Sequence, residues 1–256
     1  MKNRYRLLEM KGEGSFGVVY RAFDKEQCRD VAIKFLKNPS AEDRAQLEHE
    51  ASLLDKLNHK FIVHLLDSDI NASEPYIVVE YCDKGSLRKH VGTLSWQRVV
   101  HILAQVAEGL QAIHDSGGFH RDLKPENLLV KTEKTGLVMK IADFGVARIP
   151  GTGSLMTHGP RGTRGYIASE VLEGHPFNAT SDVYALGIVA TELLTGSRNL
   201  NSLDSTDVPP WLRSVLRAMR SLNPEHRPTS HQCSRLLLKN AQNVRSRATA
   251  SALEIS

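Results

Sequence analysis

The sequence predicts an α+β fold made of a small β-rich lobe followed by a larger α-helical lobe. Short runs of β-branched and aromatic residues, typical of strands, mark the chain up to about Tyr81. From Ser95 onward the apolar residues recur with helical spacing instead. The short segment Asp83–Gly85 lies between the two patterns, and we interpret it as the hinge between the lobes.

Both lobes are predicted to belong to one domain. A chain of 256 residues can bury a sizeable core, and nothing in it requires a second independent domain. We predict this domain over residues 1–240, with the first lobe at about 1–82 and the second at about 86–240. The small and polar residues of 241–256 predict a flexible tail.

Three strands and one helix are predicted in the first lobe. The strand signals are Val18–Val19, Val31–Ile33 and Tyr76–Val79. The helix begins after Ser40, which forms a capping-box pattern with Asp43. Its apolar face, at i, i+4 and i+7, consists of Leu47, Ala51 and Leu54.

The second lobe is predicted to be mainly helical. Its first helix carries one apolar stripe and ends at Gly117–Gly118; the stripe consists of Val99, Leu103, Val106, Leu110 and Ile113. Further helices are predicted over Ser181–Leu194, over Leu212–Leu222 and over Thr229–Leu238. A short strand is predicted over Val138–Ile141.

The composition is that of a soluble globular protein. Hydrophobic residues make up 41% of the chain and charged residues 24%, which disfavours disordered, collagen-like and membrane classes. The start of the chain is too polar for a signal peptide, and no apolar run is long enough to span a bilayer. A net charge of +4, with scattered Lys and Arg, indicates neither a nucleic-acid nor a membrane partner. The three widely spaced cysteines indicate free thiols, so we expect a cytoplasmic protein.

A glycine-rich segment runs directly into the strand signal Val18–Val19, so it lies in a strand context and not before a helix. Such a segment can fold over a triphosphate, because backbone N–H groups approach closely where there is no Cβ. A plain glycine-rich hairpin would have the same sequence, so the pattern alone leaves both interpretations open. Its residues are Gly12, Glu13, Gly14, Ser15, Phe16 and Gly17.

Lys34 ends the apolar strand run Val31–Ile33. Taken alone, it could be an exposed lysine at the end of a strand. Between the glycine-rich segment and an acidic helix, it instead has the position of a lysine that holds the α- and β-phosphates of a nucleotide. Glu50 is the best candidate to pair with Lys34, and Glu48 is the second.

The most specific part of the chain reads H-R-D-L-K-P-E-N over residues 120–127 and is followed by D-F-G at 143–145. With the earlier motifs in this order, the chain resembles the eukaryotic-type protein kinase family over nearly its whole length. The resemblance implies a two-lobed kinase fold, ATP as phosphoryl donor, Mg²⁺ as cofactor and protein substrates.

The resemblance also implies roles for single residues. Asp122 would orient the acceptor hydroxyl, Lys124 would neutralise charge on the transferred group, and Asn127 and Asp143 would bind Mg²⁺. Lys34 and Glu50 complete the catalytic set. Residues implied to enclose the nucleotide, besides the glycine-rich segment, are Val19, Ala32, Val79, Glu80, Cys82 and Leu129. A column that joins the lobes would consist of Leu54, Leu65, His120 and Phe144.

A peptide-groove segment follows the D-F-G motif in the family. Here Gly162–Tyr166 and A-S-E at 168–170 resemble it, with Ser169 in place of the usual proline. The resemblance pairs Glu170 with Arg227 and makes Asp182 an anchor of the catalytic loop. The segment between Gly196 and Trp211 is shorter than is usual in the family.

Serine and threonine are the acceptors that the sequence favours. Lys124 lies two residues after Asp122, and Thr163 lies in a Gly-Thr pair typical of that branch. In the family, an arginine at the position of Arg121 binds a phosphate on the loop between Asp143 and Glu170. The resemblance therefore implies activation by an upstream kinase or by autophosphorylation, at the candidate acceptors Thr152, Ser154 and Thr157. Two alternatives remain open: a catalytically weak scaffold that binds nucleotide or partners, and a small-molecule phosphotransferase.

Overall fold

The computed structural model describes residues 4–14, 17–37, 39–144 and 163–240. Its first lobe contains a five-stranded antiparallel sheet with the strand order β1-β2-β3-β5-β4. The strands are β1 (Tyr5–Gly14), β2 (Gly17–Asp24), β3 (Arg29–Phe35), β4 (Leu65–Asp69) and β5 (Tyr76–Glu80). The three predicted strand signals are confirmed as β2, β3 and β5. Strands β1 and β4 lack a β-branched run, so only their pairing in the sheet identifies them.

Helix α1 (Ala41–Lys56) crosses from β3 to β4 and begins as the capping box predicts. The Ser40 hydroxyl accepts the Asp43 N–H at 3.1 Å, and the Asp43 carboxylate accepts the Ser40 N–H at 2.9 Å. The predicted apolar face is buried and includes Leu47 and Leu54. Glu50 is buried on the same helix, whereas Glu48 is exposed.

The second lobe contains a small sheet and most of the helices. Its sheet has the order β6-β7-β8, with β6 (Gly85–Ser86), β7 (Leu128–Glu133) and β8 (Gly136–Ile141). The helices are α2 (Trp96–Asp115), α3 (Ser169–Leu172), α4 (Ala179–Thr195), α5 (Pro210–Met219) and α6, which covers 230–240 in the described part of the chain. The predicted stripe of α2 is buried along its whole length.

Helix boundaries differ from the predicted ones where side chains cap the ends. Asn178 accepts the N–H groups of Thr180 and Ser181, so α4 begins two residues before the predicted start. The prediction that the next helix reaches Leu222 is wrong, because α5 ends at Met219. The carbonyls of Ser221 and Leu222 accept hydrogen bonds from the Arg227 guanidinium, which holds this stretch as a turn.

One large apolar core joins the two lobes. It runs from Leu47 and Leu54 on α1, through Leu103 and Leu110 on α2, to Leu186 on α4. A smaller cluster covers the other face of the first sheet. The described residues include no helix that is both long and apolar enough to cross a bilayer. The short segment after Gly196 forms a 3-10 helix, Leu200–Ser205, which is anchored by the buried Leu203.

Candidate active site

The loop 120–127 connects α2 with β7, and Asp182 on α4 binds the backbone of this loop. This carboxylate is fully buried near the start of α4, and it accepts the backbone N–H groups of His120 and Arg121, both at 2.9 Å. His114 Nε2 lies 3.0 Å from the same carboxylate. Arg121 adopts a left-handed backbone conformation, with φ 69, which is uncommon for a residue with a side chain. The contacts with Asp182 support this strained turn, and the predicted anchor is present.

Asp122 is held by four hydrogen bonds at the centre of the loop. Its Oδ1 accepts the backbone N–H and the hydroxyl of Thr163, both at 2.8 Å. Its Oδ2 accepts from Lys124 Nζ at 2.7 Å and from Asn127 Nδ2 at 3.2 Å. The side chain remains 12% exposed, so it borders the surface with a fixed orientation.

Lys34 joins three separate elements. Its Nζ lies 2.6 Å from Glu50 Oε2 on α1 and 3.4 Å from Asp143 Oδ1, which follows β8. Burial by itself would lower the pKa of Lys34, but attraction from Glu50 and Asp143 outweighs burial and raises that pKa. The amine is therefore held in its charged form. Of the two candidate partners, the structure brings Glu50 to Lys34 and leaves Glu48 at the surface.

The residues of the predicted column come together behind Lys34. Phe144 is fully buried, and its ring centroid lies 5.2 Å from that of His120 at an angle of 72°. His120 Nε2 also lies 3.1 Å from the Ala142 carbonyl oxygen. Leu54 and Leu65 belong to the same core as Phe144. The Phe144 side chain is thereby packed against His120 of the catalytic loop and shares a core with Leu54 of α1.

The glycine-rich segment is a hairpin between β1 and β2, as its sequence context predicts. Gly12 pairs with Val19 and Gly14 pairs with Gly17 across the two strands. Gly17 has φ 155, and a Cβ there would lie 2.0 Å from the Phe35 carbonyl oxygen. Glycine is required at this position because β2 passes so close to β3. Glu13 forms an exposed ion pair with Lys37. Ser15 and Phe16 lie outside the described residues.

The other predicted nucleotide-binding residues lie on neighbouring strands. Ala32 pairs with Val79 between β3 and β5, and Lys34 pairs with Val19 between β3 and β2. Leu129 is partly buried on β7 against the core. Cys82 is buried at the hinge, and burial raises the pKa of its thiol to about 12.

Glu80 has a side chain that is already occupied. Its carboxylate binds Lys131 and Lys140, and it accepts the backbone N–H of His64 at 2.9 Å. Any contact between Glu80 and a nucleotide would therefore have to come from its main chain.

Asn127 and Asp143 supply oxygen donors that fit a small hard cation. The Asn127 amide nitrogen donates to the Asp122 carbonyl at 2.8 Å and to the Asp122 carboxylate, so its amide oxygen is the atom available as a ligand. The Asp143 side chain is 48% exposed beside Lys34. Mg²⁺ prefers such oxygen ligands and completes its shell with phosphate oxygens and water.

The predicted pair between Glu170 and Arg227 is also present. Arg227 Nη1 and Nη2 each lie 2.7 Å from one oxygen of the carboxylate, and the arginine side chain is fully buried. The Ser181 hydroxyl donates to the same carboxylate at 2.9 Å. Burial tends to raise the pKa of Glu170, but hydrogen bonds from Arg227 and Ser181 outweigh burial and lower that pKa.

Two residues beside the loop did not stand out in the sequence, namely Arg88 and Glu192. Arg88 Nε lies 2.7 Å from Glu126 Oε1, and Arg88 Nη1 lies 2.8 Å from Glu192 Oε1. The partners come from separate elements far apart in the chain, so no local spacing connects them. The candidate phosphorylation sites Thr152, Ser154 and Thr157 lie outside the described residues, as do Gly145 and Gly162.

Comparison with known proteins indicates the family to which this chain belongs. Residues 5–253 match the family described as protein kinase domain. The chain is 32% identical to calcium/calmodulin-dependent protein kinase type II of Caenorhabditis briggsae over 254 residues, which cover 90% of this chain and 48% of that protein. It is 39% identical to MAP3K epsilon protein kinase 1 of Arabidopsis thaliana over 202 residues, which cover 76% of this chain and 14% of that protein.

A third relative matches along most of both chains. The serine/threonine-protein kinase ppk11 of Schizosaccharomyces pombe is 35% identical over 243 residues, which cover 91% of this chain and 72% of that protein. The chain spans about half the length, or less, of the first two relatives. Given the family match and the arrangement around Asp122, this chain belongs to the serine/threonine branch of the eukaryotic-type protein kinase family.

Proposed function

We propose that this chain transfers the γ-phosphoryl group of ATP to serine and threonine hydroxyls of protein substrates. The observation that carries the proposal is the fixed position of Asp122 between Lys124, Thr163 and Asn127. A carboxylate with this orientation and access to the surface can accept a hydrogen bond from an acceptor hydroxyl. The kinase names of the relatives agree with the proposal.

Each residue then has a defined part in the reaction. A bond forms between the acceptor oxygen and the γ-phosphorus, the bond to the β-phosphate oxygen breaks, and the hydroxyl proton passes to Asp122. Lys124 Nζ, which lies 2.7 Å from both Asp122 and Thr163, places positive charge beside the transferred group. Lys34, held by Glu50, binds the nucleotide phosphates.

Mg²⁺, held by Asp143 and Asn127, would neutralise charge on the phosphate oxygens. The nucleotide would be held by the hairpin of Gly12 and Gly17 and by the apolar side chains of Val19, Ala32, Val79 and Leu129. Glu80 and Cys82 contribute through the hinge. We also propose that the protein acts in the cytoplasm, and that an upstream kinase or autophosphorylation activates it.

Asp122→Asn tests the proposal. We expect phosphoryl transfer to fall by at least about 100-fold, because the variant loses the group that accepts the proton. Nucleotide binding should persist, since no nucleotide contact is assigned to Asp122. The assay incubates each protein with Mg²⁺, labelled ATP and generic protein substrates and identifies the modified residues by mass spectrometry. A fluorescent nucleotide analogue measures binding.

Asp204→Asn is the matched control, because Asp204 is an exposed partner of Arg217 far along the chain from the site. Near-normal transfer by Asp122→Asn would contradict the assignment of the loop. Nucleotide binding without transfer by the unmodified protein would identify a scaffold. Transfer to small molecules alone would identify a phosphotransferase of another class.

A further inference from the structure

Arg88 forms a network with three side chains beside the catalytic loop. Its Nε and Nη2 bind the two oxygens of Glu126 at 2.7 and 3.0 Å, and its Nη1 binds Glu192 at 2.8 Å. Its Nη2 also lies 2.7 Å from the Tyr166 hydroxyl, which in turn donates to Glu192. We call Arg88, Glu126, Tyr166 and Glu192 the Arg88 network.

The network lies next to the position of the acceptor hydroxyl. Glu126 comes two residues after Lys124, whose Nζ contacts Asp122 at 2.7 Å. Tyr166 comes three residues after Thr163, which donates to the same carboxylate. A protein substrate with its hydroxyl at Asp122 must therefore lie near this network.

Part of the network faces the surface. The Arg88 side chain is 38% exposed and that of Glu126 is 45% exposed, whereas that of Glu192 is 9% exposed. Burial tends to raise the pKa of Glu126, but hydrogen bonding to Arg88 outweighs burial and lowers it. Without Arg88, the carboxylates of Glu126 and Glu192 would have no ion-pair partner among the described residues.

The geometry of these acceptors suits a guanidinium. Both oxygens of Glu126 bind Arg88 side by side, and Glu192 takes a third N–H. An arginine in a bound peptide presents the same planar fork of donors. A group fixed within the fold has an effective concentration in the millimolar range or above, so a peptide at lower concentration cannot displace it.

We propose that Arg88 is a specificity-determining residue. It fills an acidic site beside the acceptor hydroxyl from within the chain, so the protein does not select substrates that carry an arginine at the position facing this site. The proposal rests on the proposed kinase function. Replacement of Arg88 by an uncharged residue should turn the same site into one that selects arginine.

The test compares the unmodified protein with Arg88→Met, with Arg88→Gln, and with Arg88→Met combined with Glu126→Gln. Each is assayed with ATP, Mg²⁺ and peptide libraries in which one position around a central serine or threonine is arginine or alanine. We expect both single variants to favour arginine over alanine at one position by about tenfold in kcat/KM, since charge-assisted hydrogen bonds at a half-exposed site are of moderate strength. The unmodified protein and the double variant should show no preference for arginine over alanine at that position.

Arg217→Met is the matched control, because it removes an exposed arginine from an ion pair with Asp204. Arg88→Gln retains a hydrogen-bond donor on its side chain, so it keeps the test valid if Arg88→Met fails to fold. Thermal melting shows whether each variant is folded. Equal peptide selection in the unmodified protein and in both Arg88 variants would overturn the proposal.

A second readout does not depend on catalysis. Fluorescence polarisation with labelled arginine-containing peptides should give about tenfold tighter binding to Arg88→Gln than to the unmodified protein or the double variant. Equal affinities would overturn the role of Arg88, even if phosphoryl transfer occurs. Absence of transfer with the expected change in affinity would contradict the kinase function and leave the acidic site in place.

Discussion

Arg227→Met removes the cation from the buried pair that supports the peptide-groove segment. In the folded protein Arg227 is fully buried, and both oxygens of Glu170 accept its N–H groups at 2.7 Å. Arg227 also donates to the carbonyls of Ser221 at 2.8 Å and Thr180 at 3.2 Å. The methionine preserves much of the apolar stem, so the main change is an unpaired carboxylate at Glu170.

The expected loss is about 3 kcal/mol in the free energy of unfolding. Removal of one partner from a buried ion pair destabilises by about 3–5 kcal/mol, because the other charge is left without compensation. The Ser181 hydroxyl still donates to Glu170 at 2.9 Å, which favours the lower end of that range. A domain with a total stability of about 5–15 kcal/mol should remain folded but melt at a lower temperature.

The loss should depend on pH. The lowered pKa of Glu170 means that the pair stabilises the fold above the unfolded pKa, which is about 4.3, and that this contribution disappears as the pH falls through the folded pKa. In Arg227→Met, the pKa of Glu170 loses the lowering effect of Arg227, and burial is opposed only by hydrogen bonds from Ser181 and the backbone, so this pKa rises. The variant is therefore relieved of its unpaired charge as the pH falls, and the difference from the unmodified protein should shrink.

Urea unfolding at pH 7.5 and near pH 4.5 measures both effects. Arg217→Met, which breaks an exposed pair, should lose no more than about 0.5 kcal/mol. Arg227→Met combined with Glu170→Gln should be more stable than Arg227→Met alone, since it carries no buried charge. The reasoning is refuted if Arg227→Met loses less than about 1 kcal/mol at pH 7.5, or loses as much near pH 4.5 as at pH 7.5.

Two further substitutions test other parts of the site. Lys34→Met should lower phosphoryl transfer by at least about 100-fold, because it removes the positive charge that binds the nucleotide phosphates. The loss of stability should be limited to about 1 kcal/mol, because Glu50 can take up a proton. Full activity with a large fall in melting temperature would contradict the assignment of Lys34. Ser169→Pro should leave stability unchanged or raise it by about 0.4–1 kcal/mol. Ser169 is the first residue of α3, where proline is well tolerated. The preceding residue Ala168 has φ −66 and ψ 149, a conformation that is compatible with a following proline. A strongly destabilised Ser169→Pro protein in thermal melting would show that this explanation is wrong.

Local sequence patterns were sufficient where the structure depends on near neighbours. The capping box at Ser40 and the apolar stripe of α2 both follow from residues within a few turns of one helix. Patterns failed where partners come from elsewhere. Strand β1 is defined by its pairing with β2, and α5 ends at Met219 near carbonyls that Arg227 binds.

In the candidate site too, contacts between near neighbours follow from the sequence, whereas contacts between distant elements require the structure. Asp122, Lys124 and Asn127 lie within one short loop, so their common position follows from the sequence alone, and the family resemblance supplies their expected roles. The sequence ranks Glu50 above Glu48 as the partner of Lys34, and the direction of α1 relative to β3 brings Glu50 to Lys34 in the structure. Lys34 meets Asp143 across 109 positions of the chain, and only the packing of the two lobes brings them together.

The sequence by itself determined the family and the order of a β-rich lobe followed by a helical lobe, because these depend on motifs and patterns whose members are close along the chain. The tertiary structure alone decided that Arg88 reaches Glu126 and Glu192, at 38 and 104 positions along the chain. Glu126 lies two residues after Lys124, and no residue near it in the sequence identifies Arg88 as its partner. Charge pairing between distant elements is set by how helices and strands pack, and no pattern of neighbouring residues encodes it.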